Sequence, residues 1–386
     1  MNKKNAFSIR AFASQFSTPA AWVNVLLIFV PIAIVLAVMN GNATLLFVTS
    51  ALGIVPLAGL LGEATDALAV KAGDKIGGLL NATLGNAAEL IITIVALQAG
   101  LLEVVKASIT GSILGNLLLV LGISLLAGGL KNGTQVFDRR GISVMMTTMT
   151  IAIIGLVIPT TFSSAIDKVN HISVEYLSIG VAIALMLGYI LSLLYTFRSQ
   201  PGSDEIARQE EKTAEAHHHG RLSDMRIAIA VLGVSVVFIA ILSEILVGAV
   251  EPLIEAQGLS ELFVGVIIVP IIGNAAEHLV AVEMAIKNRM ELSIGIAVGS
   301  SLQIALFVAP VLVFIALLFG QQLTLVFNQF ELAALLAAVV ITALIALDGE
   351  SNWLEGAQLL IVYVILAIAF FFLPNVTEGA HAMLLP

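Results

Sequence analysis

Cysteine is absent from the 386 residues. That excludes disulfides, thiolate metal sites and iron–sulfur clusters. Charge is scarce as well, at 11% of the chain against about a quarter in a typical soluble domain. There is no HExxH sequence, so a zinc protease of that kind is excluded, and no Walker A sequence, which argues against ATP-driven pumping. Long stretches of alternating polarity are missing too, which argues against a membrane β-barrel. The basic N-terminus MNKKNAFSIR precedes a long apolar run with no small-residue cleavage site after it. An uncleaved first helix is the expectation.

What the chain has instead is continuous apolar sequence. Hydrophobic residues make up 59%, and mean hydropathy is +1.06. Runs such as AAWVNVLLIFVPIAIVLAVM, from Ala20, suit spanning helices, because a bilayer core leaves backbone groups no water to bond. Eleven spans are expected: 20–39, 43–70, 76–99, 107–130, 141–159, 173–197, 227–250, 262–286, 291–319, 330–347 and 355–373. The second runs on through EATDALAV as an amphipathic extension facing protein or water. With the N-terminus inside, 15 of the 17 Lys and Arg residues fall on the inner side, and only Lys106 and Lys168 fall outside. This positive-inside bias supports both the orientation and the parity of the count.

The chain repeats itself. GNAAEL at 85–90 answers GNAAEH at 273–278, an offset of 188 residues (274 − 86). At the same offset Gly111, Ser112 and Leu114 answer Gly299, Ser300 and Leu302; Gly77 answers Gly265, and Glu63 answers Glu251. Duplication explains such a set without gaps. Each copy holds five spans. Five is odd, so the second copy is inverted, as in secondary transporters whose sites lie at the repeat interface. The expected fold is an all-α polytopic membrane protein of about eleven transmembrane helices: two inverted five-helix repeats after one extra helix. The expected divisions are residues 1–42 (tail and first helix), 43–197 (first repeat), 198–226 (inner linker) and 227–386 (second repeat).

Each repeat places a glutamate, Glu89 or Glu277, well inside an apolar span, where an ionisable side chain is costly and marks a functional site by default. Inversion brings the two together. A divalent cation neutralises both carboxylates. When it leaves, protons must replace it, because two bare carboxylates in a dry site repel each other and are poorly solvated. That exclusion is the logic of cation/proton antiport. Asn86 and Asn274, three residues before each glutamate, share its helix face and offer amide oxygens of the kind Ca2+ accepts. Gly85 and Gly273 let neighbouring backbone approach. Pro270 is expected to kink its helix and free the Val266 carbonyl. Ser112, Asn116, Ser300 and Gln303 are uncharged candidates for ligand or relay roles, or interhelical glue. His278 is a candidate for proton movement. Glu63, Asp66 and Glu251 are candidates for a cation-gathering vestibule. Glu244 and Glu331 fall within or near spans and have no evident role.

The stretches GEATDALAVKAGDKIGGLLNATLGNAAELI, GLSELFVGVIIVPIIGNAAEH, GSSLQIALFVAPVLV and DGESNWLEGAQLLIVYVILA resemble the cation/proton exchanger (CAX) family of the cation/calcium exchanger superfamily. The resemblance runs from the second span to the eleventh. It implies two repeats of the family's type, Ca2+/H+ antiport, and Glu89 and Glu277 as the sites that hold Ca2+ or protons. It also implies an acidic helix between the halves, which SDEIARQEEKTAEA at 203–216 resembles. The His217, His218 and His219 run departs from the family pattern. The expected partners are Ca2+, H+ and the lipid bilayer, with no nucleic acid; homo-oligomerisation is left open. No cofactor is expected, since Ca2+ enters as the transported substrate, and no enzyme activity is expected. The expected location is a bacterial inner (plasma) membrane with the N-terminus cytosolic. Mn2+/H+ exchange, Na+/Ca2+ exchange and a passive cation channel are the alternatives.

Overall fold

The computed structural model describes residues 23–167, 171–198 and 224–373. The N-terminal tail, Lys168, the acidic 203–216 stretch and His217–His219 lie outside the described residues. A 3-10 turn (Asn24–Ile28) leads into α1 (Phe29–Val38). The first repeat follows as α2 (Ala43–Ala72), α3 (Asp74–Leu84), α4 (Ala87–Gln98), α5 (Leu102–Leu114), α6 (Leu121–Asn132), α7 (Arg139–Asp167) and α8 (His171–Arg198). The second comprises α9 (Met225–Gly248), α10 (Val250–Gln257), α11 (Glu261–Phe263), α12 (Val269–Ile286), α13 (Met290–Gln303), α14 (Ala309–Leu318), α15 (Gln329–Ile345) and α16 (Trp353–Phe372). Among the described residues, eight continuous helical stretches can cross a membrane by length and composition, and three shorter apolar helices (Asn24–Val38, Ala87–Gln98 and Gln329–Ile345) bring the number to the expected eleven.

The connections sort into two faces. On one, β1 (Gln135–Val136) pairs antiparallel with β2 (Glu350–Ser351), and the Gln135 Nε2 donates to Ala285 O and Asn288 Oδ1, both at 2.9 Å. On the other, Lys106 Nζ donates to Val326 O at 3.3 Å, and Phe327 N donates to Thr160 Oγ1 at 2.9 Å. This is the alternation that eleven antiparallel spans demand. Lys131, Arg139, Arg140, Lys287 and Arg289 cluster with the first set, hereafter the basic face.

Asn42 starts α2 by accepting from Thr44 N at 2.8 Å, and paired Asn–Glu caps start α15 and α16 (Asn328 with Glu331, Asn352 with Glu355). Such caps satisfy amide donors that a helix start otherwise leaves bare. The extension of α2 stays helical to Ala72, with Ala64, Thr65, Ala67 and Ala69 buried, so it packs on protein. α2 lies against α9, its counterpart in the other repeat, and against α12.

The structure departs from the expected spans at the motif itself. The third span is not continuous: α3 ends at Leu84, and α4 begins after Gly85 and Asn86. The span carrying the second motif relaxes elsewhere, through a π turn at Val264–Ile268, and then runs unbroken through Gly273 and Asn274. Pro270 is one sequence difference between the two at this point. It heads α12 in the second repeat, where the first repeat has Ala82. The carbonyls before a helix proline lose a donor, and the widened turn takes up the mismatch. Two further π turns, Gly115–Val120 and Ile304–Val308, follow α5 and α13. They coincide at the 188-residue offset over Asn116–Val120, so the duplication includes a backbone distortion as well as side chains.

Candidate functional site

Glu89 stands in the first turn of α4, just past the break, and Glu277 stands within α12. Counting a rise of about 1.5 Å per residue, Glu89 is roughly 14 Å from the Gln98 end of α4, on the face away from the basic loops; Glu277 is roughly 14 Å from the Ile286 end of α12, on the basic face. The inverted repeats therefore set their glutamates near mid-membrane, each displaced toward a different face.

The two motifs interlock. A Cβ on Gly85 would lie 3.7 Å from Glu277 Oε1, and a Cβ on Gly273 would lie 3.5 Å from Glu89 Cβ. Each glutamate thus rests on the glycine heading the other's motif, and glycine permits that approach. Glu277 is close enough for its charge to act on Glu89.

Their hydrogen bonds repeat across the duplication. Ser112 on α5 donates to Glu89 Oε1; Ser300 on α13 donates to Glu277 Oε2 at 2.6 Å. The asparagines cross between repeats. Asn274 Nδ2 donates to Ser112 Oγ at 3.3 Å and to Pro270 O at 3.2 Å, while Asn86 Nδ2 donates to Gln303 Oε1 at 2.5 Å. Both asparagines thereby spend their N–H groups on protein. Asn86 Oδ1 and Glu89 Oε2 are left buried with no hydrogen-bond partner. Two buried acceptors without donors suit a positive charge better than further protein, since an unmatched polar oxygen costs about 1–3 kcal/mol.

The expected site residues divide clearly. Glu89, Glu277, Asn86, Asn274, Ser112, Ser300 and Gln303 come together. Asn116 is buried in the π turn after α5, with its Nδ2 unpartnered, and His278 follows Glu277 with its Nε2 buried and unpartnered; no bond ties either to the carboxylates. The vestibule candidates do not gather. Asp66, half-buried on α2, is near enough for its charge to act on Glu277, and Glu63 is one turn away on the same helix. Glu251 is exposed on α10, at the opposite face, near Glu261.

Sequence reasoning missed the break at Gly85–Asn86, the paired π turns and the crossing of the asparagines. It also missed how close Gly111 comes to the α12 span: a Cβ there would overlap the Val266 carbonyl and lie 2.6 Å from Pro270 Cγ. The offset of 188 residues was the available signal for the π turns, since Asn116–Val120 and Ile304–Val308 occupy matching positions.

Comparison with known proteins places this arrangement. The sodium/calcium exchanger protein family matches residues 42–198 and 227–372. The chain belongs to that family. This exchanger-family chain is 43% identical over 361 residues to a Ca(2+)/H(+) antiporter of Aphanothece halophytica, covering 92% of this chain and 97% of that protein. It is 44% identical over 347 residues to the Ca(2+)/H(+) antiporter ChaA of Bacillus subtilis strain 168, covering 89% and 97%. The solved structure of native YfkE matches with a TM-score of 0.79 at 42% identity, covering 91% of this chain and 100% of that one. An H+/Ca2+ exchanger CAX structure matches with a TM-score of 0.67, covering 92% and 93%; at 13% identity it supports the fold alone.

Proposed function

We propose that this chain is a secondary antiporter that exports Ca2+ from the cytosol in exchange for H+, with Glu89 and Glu277 binding Ca2+ or protons in competition. The observation that carries this reading is the interlocked carboxylate pair with Asn86 Oδ1 and Glu89 Oε2 unpartnered beside it. A dication replaces two protons there with no net charge left in the membrane. The names of the relatives in Aphanothece halophytica and Bacillus subtilis support the same substrates.

In this reading residues 43–197 and 227–386 are the two repeats, 1–42 add a first helix, and 198–226 link the halves on the cytosolic side. Asn86 and Asn274 add amide oxygens to the cation, and Ser112 and Ser300 orient the carboxylates. Access alternates between faces. Glu277 is half-buried and displaced toward the basic face, where Asp66 accompanies it; Glu89 is sealed, at 2% exposure. The cytosolic approach therefore runs past Asp66 to Glu277, and the opposite half of the route ends at Glu89. The lipid bilayer is the medium, the basic face is cytosolic, and the membrane is the bacterial inner membrane.

The test is uptake into proteoliposomes with an imposed pH gradient, offering Ca2+, Mn2+ and Na+ in turn. The expected result is Ca2+ uptake that follows the gradient. Uptake driven by Na+ in place of H+, a preference for Mn2+, or flux indifferent to the pH gradient would favour a sodium-coupled exchanger, a manganese antiporter or a channel.

A further inference from the structure

Glu89 is sealed from the surface, at 2% exposure, yet in an antiporter it must exchange a proton with the far side of the membrane. The face away from the basic loops offers one polar row toward it. Glu103, Lys106 and Thr110 lie on one side of α5, at spacings of three and four residues. Burial deepens along the row. The Glu103 side chain is 63% exposed, the Lys106 side chain 15%, and Thr110 is fully buried. Lys106 Nζ pairs with Glu103 Oε1 at 2.5 Å and also holds Val326 O.

Glu331 joins this row from α15 and is only 1% exposed. One of its oxygens is committed to the helix start, where Oε2 accepts from Asn328 N at 2.8 Å and closes the cap of α15. The other, Oε1, is buried with no hydrogen-bond partner. The Thr110 hydroxyl lies beside the carboxyl. Among the described residues the charges that reach Glu331 are those of Lys106 and Glu103. A cap needs one oxygen, and caps ordinarily sit in water. A buried carboxyl with a spare oxygen beside a spare hydroxyl is more than a cap requires, and ionisable groups are rarely kept in a membrane without use.

The depth of these groups fits the same route. Thr110 lies roughly 12 Å along α5 from Leu102, and Ser112 roughly 15 Å. Ser112 holds Glu89. The row therefore descends from the surface to the depth of Ser112, which projects two residues on from the opposite side of α5.

We propose that Glu331, with Thr110, is a proton-carrying station between the external medium and Glu89. It takes a proton from the outside by way of the Glu103–Lys106 end and passes it inward past Thr110. It does not hold the transported cation: Lys106 stands next to it, and it lies away from the carboxylate pair. The inference rests on the antiport reading above.

The test compares Glu331→Gln and Thr110→Val with wild-type protein in proteoliposomes, measuring the exchange rate against external pH and, separately, equilibrium Ca2+ binding. Glutamine keeps an oxygen for the Asn328 N–H, so the cap survives. The expected result is exchange slowed by about tenfold or more in Glu331→Gln, with a smaller loss in Thr110→Val. The dependence on external pH should change, while melting temperature and Ca2+ affinity stay near wild type. Glu331→Asp should recover part of the rate. If Glu331→Gln and Thr110→Val both exchange at the wild-type rate while wild type runs on the pH gradient, the station is overturned and the antiporter stands. Wild type that fails to exchange Ca2+ for H+ would overturn both. Should Glu331→Gln fold poorly, Thr110→Val alone decides, since its slowed exchange supports the station and its full rate removes it.

Discussion

Glu89 and Glu277 come from the same ancestral position but are held differently. Glu89 stands at the start of a half-helix, just past a break in the chain's helical run, and is sealed from solvent. Glu277 stands in the middle of an unbroken helix and is half-buried, with Asp66 beside it. One proline accompanies this difference. In the second repeat, which carries Pro270, the irregular turn lies at Val264–Ile268 and the backbone at Gly273–Asn274 is helical; the first repeat lacks that proline and breaks at Gly85–Asn86. Duplication therefore preserved the chemistry, and divergence made the two ends of the route unlike.

The most severe way to break the comparison is to neutralise each glutamate in turn. Glu89→Gln and Glu277→Gln are each expected to reduce pH-driven Ca2+ uptake to background without preventing insertion, because the pair works as a unit. Uptake assays on purified, monodisperse variants check this. A near-normal rate in either would mean that one carboxylate suffices.

A second comparison uses the repeat-related glycines. Gly111→Ala forces a methyl group into the Val266 carbonyl, and a cost of about 1–3 kcal/mol is expected. At Gly299 the nearest atom to a new Cβ is Met145 Cε at 3.7 Å, an ordinary contact. Gly299→Ala should be neutral or slightly stabilising, since alanine favours a helix by about 1 kcal/mol over glycine. Thermal melting in detergent separates the two, and equal losses would show that α5 and the α12 span do not approach as described.

The serines sharpen the comparison further. Ser112 both donates to Glu89 and accepts from Asn274, whereas Ser300 is bonded to Glu277 alone among the described residues. Hydrogen bonds of this kind contribute about 1–2 kcal/mol each, so Ser112→Ala should weaken Ca2+ binding by more than Ser300→Ala, by roughly a factor of ten. Isothermal titration of both variants tests the order. A larger loss in Ser300→Ala would reverse the inequality between the repeats.

Much of this was legible in the sequence because a bilayer simplifies the reading. Continuous apolar runs must be helices, and the positions of Lys and Arg fixed their parity; the two sets of connector contacts agree with that count. The central residues were legible because duplication displays Asn86, Glu89 and Ser112 twice. What escaped was backbone detail. A span broken by two residues at Gly85–Asn86 reads as continuous, since neither residue forbids a helix. Glu331 escaped for another reason: as the third residue after Asn328 it reads as an ordinary helix cap, and only burial shows that it is more. Glu63 and Glu251 show how far repeat symmetry reaches, because inversion sends matched residues to opposite faces and no single vestibule contains both.

The central claim is direct competition between Ca2+ and protons at Glu89 and Glu277, and it is tested most directly by Ca2+ affinity of the purified protein against pH, with proton release followed in weak buffer. The sign follows from the chemistry: a bound dication favours the ionised carboxylates, so binding must expel any protons they hold, and lowering the pH must weaken it. The account predicts affinity that falls as pH drops from neutral to mildly acidic, with protons released on each addition of Ca2+ and both effects lost in Glu89→Gln. Affinity flat across that range, with no proton released, would contradict it.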